Sequence, residues 1–440
     1  MTSIPEIAQA MENVLTTIAK AVERSTGFVQ RKSKLDGPVF AKTTVLGWLK
    51  KPDATLSDLT QVAAAFGVKI TTEGLDDRFT PQAAAFLEHL LNVAVGQVIA
   101  AEPVAIPVLQ RFNGVILQDS SVIGLPEELA KLWPGCGNAS HPAEVSAALK
   151  LQVRLDVLTG RLDGPLLEAG RSQDRNCQLQ TRPLPKQALR LADLGYFNLK
   201  VFAQLDTQET YFLSRLHVQT AVLNLDGERL DLLALLQSSD PAGLDLAVRV
   251  GMKERLQVRL LAVRVPQEVA DQRRRRLQAE ARRRGQAVSK ASLALADWTI
   301  LITNVPKALL SLAEALVLIR VRWQIELLFK LWKQRCLVDE WRSQKPWRIA
   351  CEVYAKLIGV VLQHWLCLLG CWTYRDRSLV KAAETVRDHG LMLISALAGA
   401  FDVPIVLKRI ADALAATPRM NRRRKHPNTY QLLLDLTNAA

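Results

Sequence analysis

The sequence predicts an α/β protein of two or more domains, and three observations predict it. Helical patterning fills the first hundred residues, strand-like apolar runs begin after Pro107 and continue to Pro306, and helical patterning returns from Ala308. The chain's 440 residues also exceed the roughly 250 to 300 at which a single hydrophobic core stops growing, so more than one core is expected.

Near the N-terminus, TTVLGWLKKPDATLSDLTQVAAAFGVKI reads as a helix, a turn at Lys51-Pro52-Asp53 and a second helix. That second helix has a start signal at Ser57, with Leu59, Val62, Ala63 and Phe66 at helical spacing. Such a pair is either a helix-turn-helix unit or an ordinary helical hairpin. Arg31, Lys32, Lys34, Lys42, Lys50 and Lys51 are available there for phosphates. GVILQDSSVIGLP follows as a buried strand over 115–117 that runs into Asp119, then a loop closed by Pro126. AALKLQVRLDVLTG and RLDGPLLEAG read as two more strands about a turn at Thr159-Gly160. In ALRLADLGYF an apolar run leads to Asp193, and TYFLSRLHVQTAVL reads as a further strand.

Over about 216–297 strands and loops surround a basic helix, EVADQRRRRLQAEARRRGQAVSK, which includes Arg273, Arg274, Arg275 and Arg276. Between 271 and 290 seven Arg and one Lys stand against only Asp271 and Glu280, a density that needs either solvent or phosphate around it. DWTILITNVP is a strand ending at Asn304, and ALLSLAEALVLIRVRWQIELLFKLWKQ is one long helix or two. The tail, PRMNRRRKHPNTYQLLLDL, is a basic run before a short amphipathic helix.

Composition narrows the partners. Lys and Arg number 57 against 43 Asp and Glu, a formal charge of +14, and a polyanion such as nucleic acid is the natural complement. Six scattered cysteines without a CxxC framework read as reduced thiols of a cytosolic protein. His364, Cys367 and Cys371 have helical spacing but lie in the apolar run LIGVVLQHWLCLLGCW, so they are read as core rather than as zinc ligands. That run is short and contains Gln363 and His364, which favours a buried helix over a membrane span. The N-terminus lacks the charged start and apolar core of a signal peptide, and a cytoplasmic location with no membrane partner is the expectation.

The chemistry-bearing residues are three carboxylates. On a helix, Arg322, Glu326 and Lys333 fall within roughly 40° of one another, while Ile325, Leu328 and Trp332 cluster on another side and can enter a core. Taken alone, this is an ordinary Arg–Glu pair on a solvated face. Asp119 and Asp193 each end an apolar strand-like run, where side chains converge over a sheet edge. Three carboxylates from two strands and a helix suit a pair of Mg²⁺ ions, which take hard oxygen ligands and keep positions open for water and phosphate.

The residues around these acids resemble those of the DDE transposases of bacterial insertion sequences, in the type-four family whose late motif is Tyr-x2-Arg-x3-Glu-x6-Lys. Arg322, Glu326 and Lys333 match that spacing within RWQIELLFKLWK. DSSVIGLP at Asp119, ADLGYF at Asp193 and DWTILITNVP at Trp298 match in the same order, so the resemblance spans 119–333. Ile319 departs from the motif, standing where the family has Tyr. Ser121 replaces a common Thr and keeps its hydroxyl.

The resemblance implies a ribonuclease-H-like core: a mixed sheet flanked by helices, interrupted by a largely β insertion, with helical N- and C-terminal regions. The expected divisions are 1–105 for DNA binding, 106–215 and 301–390 for the core, 216–300 for the insertion and 391–440 for a basic region with a role in dimerisation. It further implies that Asp119, Asp193 and Glu326 hold two Mg²⁺, with Mn²⁺ able to substitute, and that Arg322 and Lys333 bind phosphates. Lys330, Arg215, Lys50, Lys51 and the four consecutive arginines are the other expected DNA contacts. Trp298 is either a stacking partner for a flipped base or a core side chain beside a strand. The expected activity is cut-and-paste transposition by a DNA-bridged homodimer acting on terminal inverted repeats of double-stranded DNA, with a hairpin step implied by the resemblance alone. The alternative is a catalytically silent DNA-binding regulator or transposition inhibitor.

Overall fold

A computed structural model describes residues 3–31, 33–136, 146–240, 243–283, 285–416, 419–425 and 427–438. Lys32 and Arg284, both counted among the cations above, lie outside these residues. The chain packs as two compact units. One comprises Met1–Ile106, Asp119–Ser172 and Trp323–Gln431, and the other Pro107–Gln118, Gln173–Arg322 and Leu432–Ala440.

Among the described residues nine strands form a mixed sheet: β1 (Val115–Leu125), β2 (Ala147–Asp156), β3 (Leu162–Ala169), β4 (Leu189–Ala192), β5 (Tyr211–Arg215), β6 (Val222–Leu223), β7 (Leu244–Val250), β8 (Leu256–Arg264) and β9 (Trp298–Thr303). β1 is continuous through both units. In the second unit the order is β1-β4-β5-β9-β8-β7-β6, with β1, β4 and β5 parallel and the remaining pairings antiparallel. In the first unit it is β3-β2-β1, with β2 and β3 an antiparallel hairpin about the expected turn. β1 differs from its sequence reading, since the segment after Asp119 continues as strand to Leu125 instead of looping. The β-branched pair Val122-Ile123 suits a pleated surface, and Ile123 is fully buried there.

The core of the first unit is the helix Pro346–Gly370, buried without interruption from Ile349 to Leu368. It packs against the helices Gly37–Lys50, Pro81–Val95 and Val403–Ala416. Packing against these helices explains why it is mainly apolar around its circumference. By length and composition this helix could cross a membrane, but 89% of its most apolar window is buried within the protein. The helix begins eleven residues before the run identified in the sequence, so that run is its C-terminal half. At Gly370 a Cβ would come within 2.3 Å of the Ala411 carbonyl, so glycine allows the close approach of Val403–Ala416.

The N-terminal helix pair is present as Gly37–Lys50 and Leu56–Ala65, but the second helix starts at Thr55 rather than Ser57. The Thr55 hydroxyl accepts from the Asp58 N–H, and the Asp58 carboxylate accepts from the Thr55 N–H at 2.7 Å, a reciprocal cap that Ser57 does not make. Leu59, Val62 and Ala63 are buried, as their spacing predicts. In the second unit the helix Leu199–Thr207 lies on β5 and β8, and Phe202 stacks on Phe212 at 4.5 Å.

Candidate active site

In the second unit, the parallel register of β1 and β4 runs from Val115↔Leu189 to Gln118↔Ala192. The residues that follow those last partners are Asp119 and Asp193. Asp193 is half-buried and opens a 3₁₀ turn, Leu194–Tyr196, without a side-chain capping bond to it. Its carboxylate oxygens are therefore not spent on the turn.

The first unit contains Asp119, Glu326 and Lys333. Asp119 is half-buried, and its Oδ1 accepts from the Ser120 N–H at 2.9 Å. The helical run after Pro306 is two helices, Leu312–Val321 and Trp323–Gln334, with Arg322 as the C-terminal cap of the first. Ile325, Leu328 and Trp332 are buried, as their face predicts. Glu326 lies in the first helical turn and Lys333 in the last, so the helix dipole favours both charges. Lys333 Nζ donates to the Val122 carbonyl on β1 at 2.7 Å, which ties the helix to the strand three residues past Asp119, and it stands 3.9 Å from Asp339.

Within the second unit, Trp298 begins β9 half-exposed and lines a cavity of about 300 Å³ together with Leu194, Arg215, Arg273 and Arg276. An aromatic face, apolar walls and guanidinium groups thus meet in one recess, and Leu194 connects it to the turn that Asp193 opens. The basic helix spans Gln267–Arg283. Two of its arginines are engaged within the unit: Arg273 donates to the Trp298 carbonyl at 2.8 Å and to Thr299 Oγ1 at 2.9 Å, and Arg274 bridges Asp271 and Asp297. Partial burial, with the charge of Arg215 nearby, lowers the Arg273 pKa from its ordinary value. Arg275 and Arg276 are exposed. Lys50 and Lys330 are exposed as well, while Lys51 pairs with Asp58 at 2.9 Å.

Carboxylates are the appropriate donors for a hard divalent cation. Among the described residues no group of three or more Asp, Glu, His or Cys side chains is gathered closely enough to hold a metal ion. His364, Cys367 and Cys371 are all buried; His364 Nε2 lies 2.7 Å from the Gly160 carbonyl, and Cys371 Sγ donates to the Cys367 carbonyl.

A mixed sheet flanked by helices, with Asp119 inside one of two neighbouring parallel strands and Asp193 directly after the other, has the architecture of a ribonuclease-H-like core. The chain matches the family model described as "Transposase DDE domain" over residues 110–362, and it belongs to that family. It is similar to the transposase for insertion sequence element IS231B of Bacillus thuringiensis subsp. berliner, 25% identical over 447 residues that cover 93% of this chain and 91% of that protein. The IS231F transposase of Bacillus thuringiensis subsp. israelensis is 23% identical over 98% of this chain and 94% of its own length. The IS1151 transposase of Clostridium perfringens is 24% identical over 78% and 76%.

Proposed function

We propose that this protein recognises the terminal inverted repeats of an insertion sequence and, as a DNA-bridged homodimer, cleaves and joins DNA strands in a divalent-metal-dependent cut-and-paste reaction. The observation that carries the reading is the register of β1 and β4, which ends one residue before Asp119 and one before Asp193. With Glu326 these are the residues that would hold Mg²⁺ or Mn²⁺. When bound, two such ions activate an attacking oxygen and stabilise the leaving oxygen of an in-line phosphoryl transfer.

The remaining roles belong to the chain's own side chains. Lys333 has three N–H donors and one is occupied by Val122, so it retains donors for a phosphate. Arg322 offers a planar fork to phosphate oxygens, and Lys330 adds charge on the helix that carries Lys333. The Trp298 recess, rimmed by Arg215 and Arg276, suits an unstacked base with its phosphate, since an aromatic face offsets the loss of stacking. Arg275 and Arg276 supply the charge of the basic helix, while Arg273 and Arg274 fasten that helix to its own unit. Lys50 and Lys51 extend the DNA contact to the N-terminal helix pair. A hairpin intermediate during excision belongs to the same reading.

The test is to incubate purified protein and Mg²⁺ or Mn²⁺ with labelled DNA carrying the sequences that flank the coding region. Nicks mapping to the repeat boundary are expected. Binding without nicking would identify a silent regulator, and cutting indifferent to the repeats would identify a plain nuclease.

A further inference from the structure

Strand β4 reads Leu189-Arg190-Leu191-Ala192, and all four residues are buried. Parallel strands in the middle of a sheet are ordinarily continuous apolar runs, because both faces are covered. A guanidinium is expensive to bury, and an aliphatic side chain would fill the space at less cost, so Arg190, at 1% exposure, calls for a reason. Its bonds supply one. Arg190 Nε donates to Gln118 Oε1 at 3.1 Å, and Nη2 donates to Gln180 Oε1 at 2.5 Å. Gln180 Nε2 donates onward to the Arg175 carbonyl at 2.9 Å and to the Tyr196 carbonyl at 3.4 Å. Gln118 and Gln180 are buried too, at 0% and 3% exposure.

The positions of these partners matter more than their number. Gln118 is the last β1 residue in register with β4 and immediately precedes Asp119. Tyr196 closes the 3₁₀ turn that Asp193 opens. Arg190 itself stands three residues before Asp193 on the same strand. One planar group with fixed donor directions thereby fastens β1 where its pairing with β4 ends, β4 itself and, through Gln180, the turn beyond Asp193. Hydrogen bonds in so dry a setting stiffen the segments they join.

We propose that Arg190 is a positioning residue that, through Gln118 and Gln180, sets β1 at the residue before Asp119 and the carboxyl end of β4 before Asp193 for the metal-dependent reaction. This rests on the function proposed above and assigns Arg190 no contact with DNA or metal. Groups that orient metal-binding side chains from behind affect metal affinity as well as rate, and this separates positioning from mere support of the fold.

The experiment uses the full-length protein with Arg190→Lys and Gln180→Ala. Lysine keeps the charge but cannot span both amides, and Gln180→Ala removes only the link to the turn, so a folding failure of one variant leaves the other informative. Three quantities are read: the cleavage rate on the terminal-repeat DNA, the Kd for Mn²⁺ alone by electron paramagnetic resonance, and the unfolding midpoint. A fall in rate and a weakening of Mn²⁺ binding, each by about tenfold or more per folded molecule, are expected with DNA affinity unchanged. Rates and Mn²⁺ affinities within about twofold of wild type, or losses that only track the folded fraction, would overturn the inference. Asp193→Ala run alongside separates the two levels: wild-type cleavage by it overturns the site and the inference together, whereas an inactive Asp193→Ala beside an unaffected Arg190→Lys overturns the inference alone.

Discussion

Thr55 and Asp58 close the N-terminus of the Leu56–Ala65 helix, and their bonds make a testable pH dependence. The Thr55 N–H donates to the Asp58 carboxylate, and Lys51 and the Thr55 hydroxyl add to it, so the Asp58 pKa falls to about 2. A carboxyl with a depressed folded pKa binds fewer protons folded than unfolded, so its stabilisation is present above the ordinary value of 3.8 and is lost as pH falls through about 2. The melting-temperature difference between wild type and Asp58→Asn should therefore shrink across that window, and Thr55→Ala should cost about 1 kcal/mol at neutral pH in denaturant unfolding. Sequence alone placed this start two residues late, because Ser57 and Thr55 are both capping residue types and only the geometry chooses between them. That Asp119 and Asp193 each follow an apolar run paired in the sheet was legible because an apolar run leading to an acid is a local signal. Arg190 was not, since its partner Gln118 is 72 residues away and nothing in LRLAD announces it.

At the scale of elements, the Trp323–Gln334 helix owes its setting to a neighbour as well as to its own apolar face. Lys356, 3% exposed in the central helix, pairs with Glu352 at 2.7 Å and donates to the carbonyls of Leu337 and Glu340 at 2.9 and 2.7 Å. The segment it holds contains Asp339, the acid beside Lys333. Burial raises the Glu352 pKa and lowers that of Lys356, so each partner depends on the other to remain charged. Lys356→Met should destabilise by about 3–5 kcal/mol in denaturant unfolding, because a carboxylate and two carbonyls lose their partner. Adding Glu352→Leu should recover part of that loss. The apolar periodicity revealed the helical run after Pro306 and the buried face of its later part, and left open whether the run was one helix or two. It gave no sign of the Glu352–Lys356 pair, which reads like any i,i+4 couple on a surface. The extension of β1 to Leu125 was hidden for another reason: serines and a glycine after Asp119 resemble a loop until their neighbouring strand is known.

For the whole molecule, the excess of basic residues and the family agree on DNA as the partner, and the distribution of charge says where to test it. Arg275 and Arg276 are exposed on the basic helix, whereas Arg273 and Arg274 are engaged within the unit. Replacing Arg275 and Arg276 together with alanine should weaken binding to DNA of any sequence and reduce the slope of log K against log salt by about 1 to 2, with the melting temperature unchanged. An unchanged slope would remove the basic helix from the DNA contact. The individual strands and helices were legible from apolar runs and helical periodicity, and their assembly into a mixed sheet flanked by helices from the resemblance to the DDE transposases. The division into two compact units was not, because each is assembled from segments far apart in the chain. The most direct test of the proposed site measures binding and cleavage of terminal-repeat DNA in Mg²⁺ by Asp119→Ala, Asp193→Ala and Glu326→Ala. Each variant should bind the ends as wild type does and leave them uncut; wild-type cleavage by any one of the three would contradict the site.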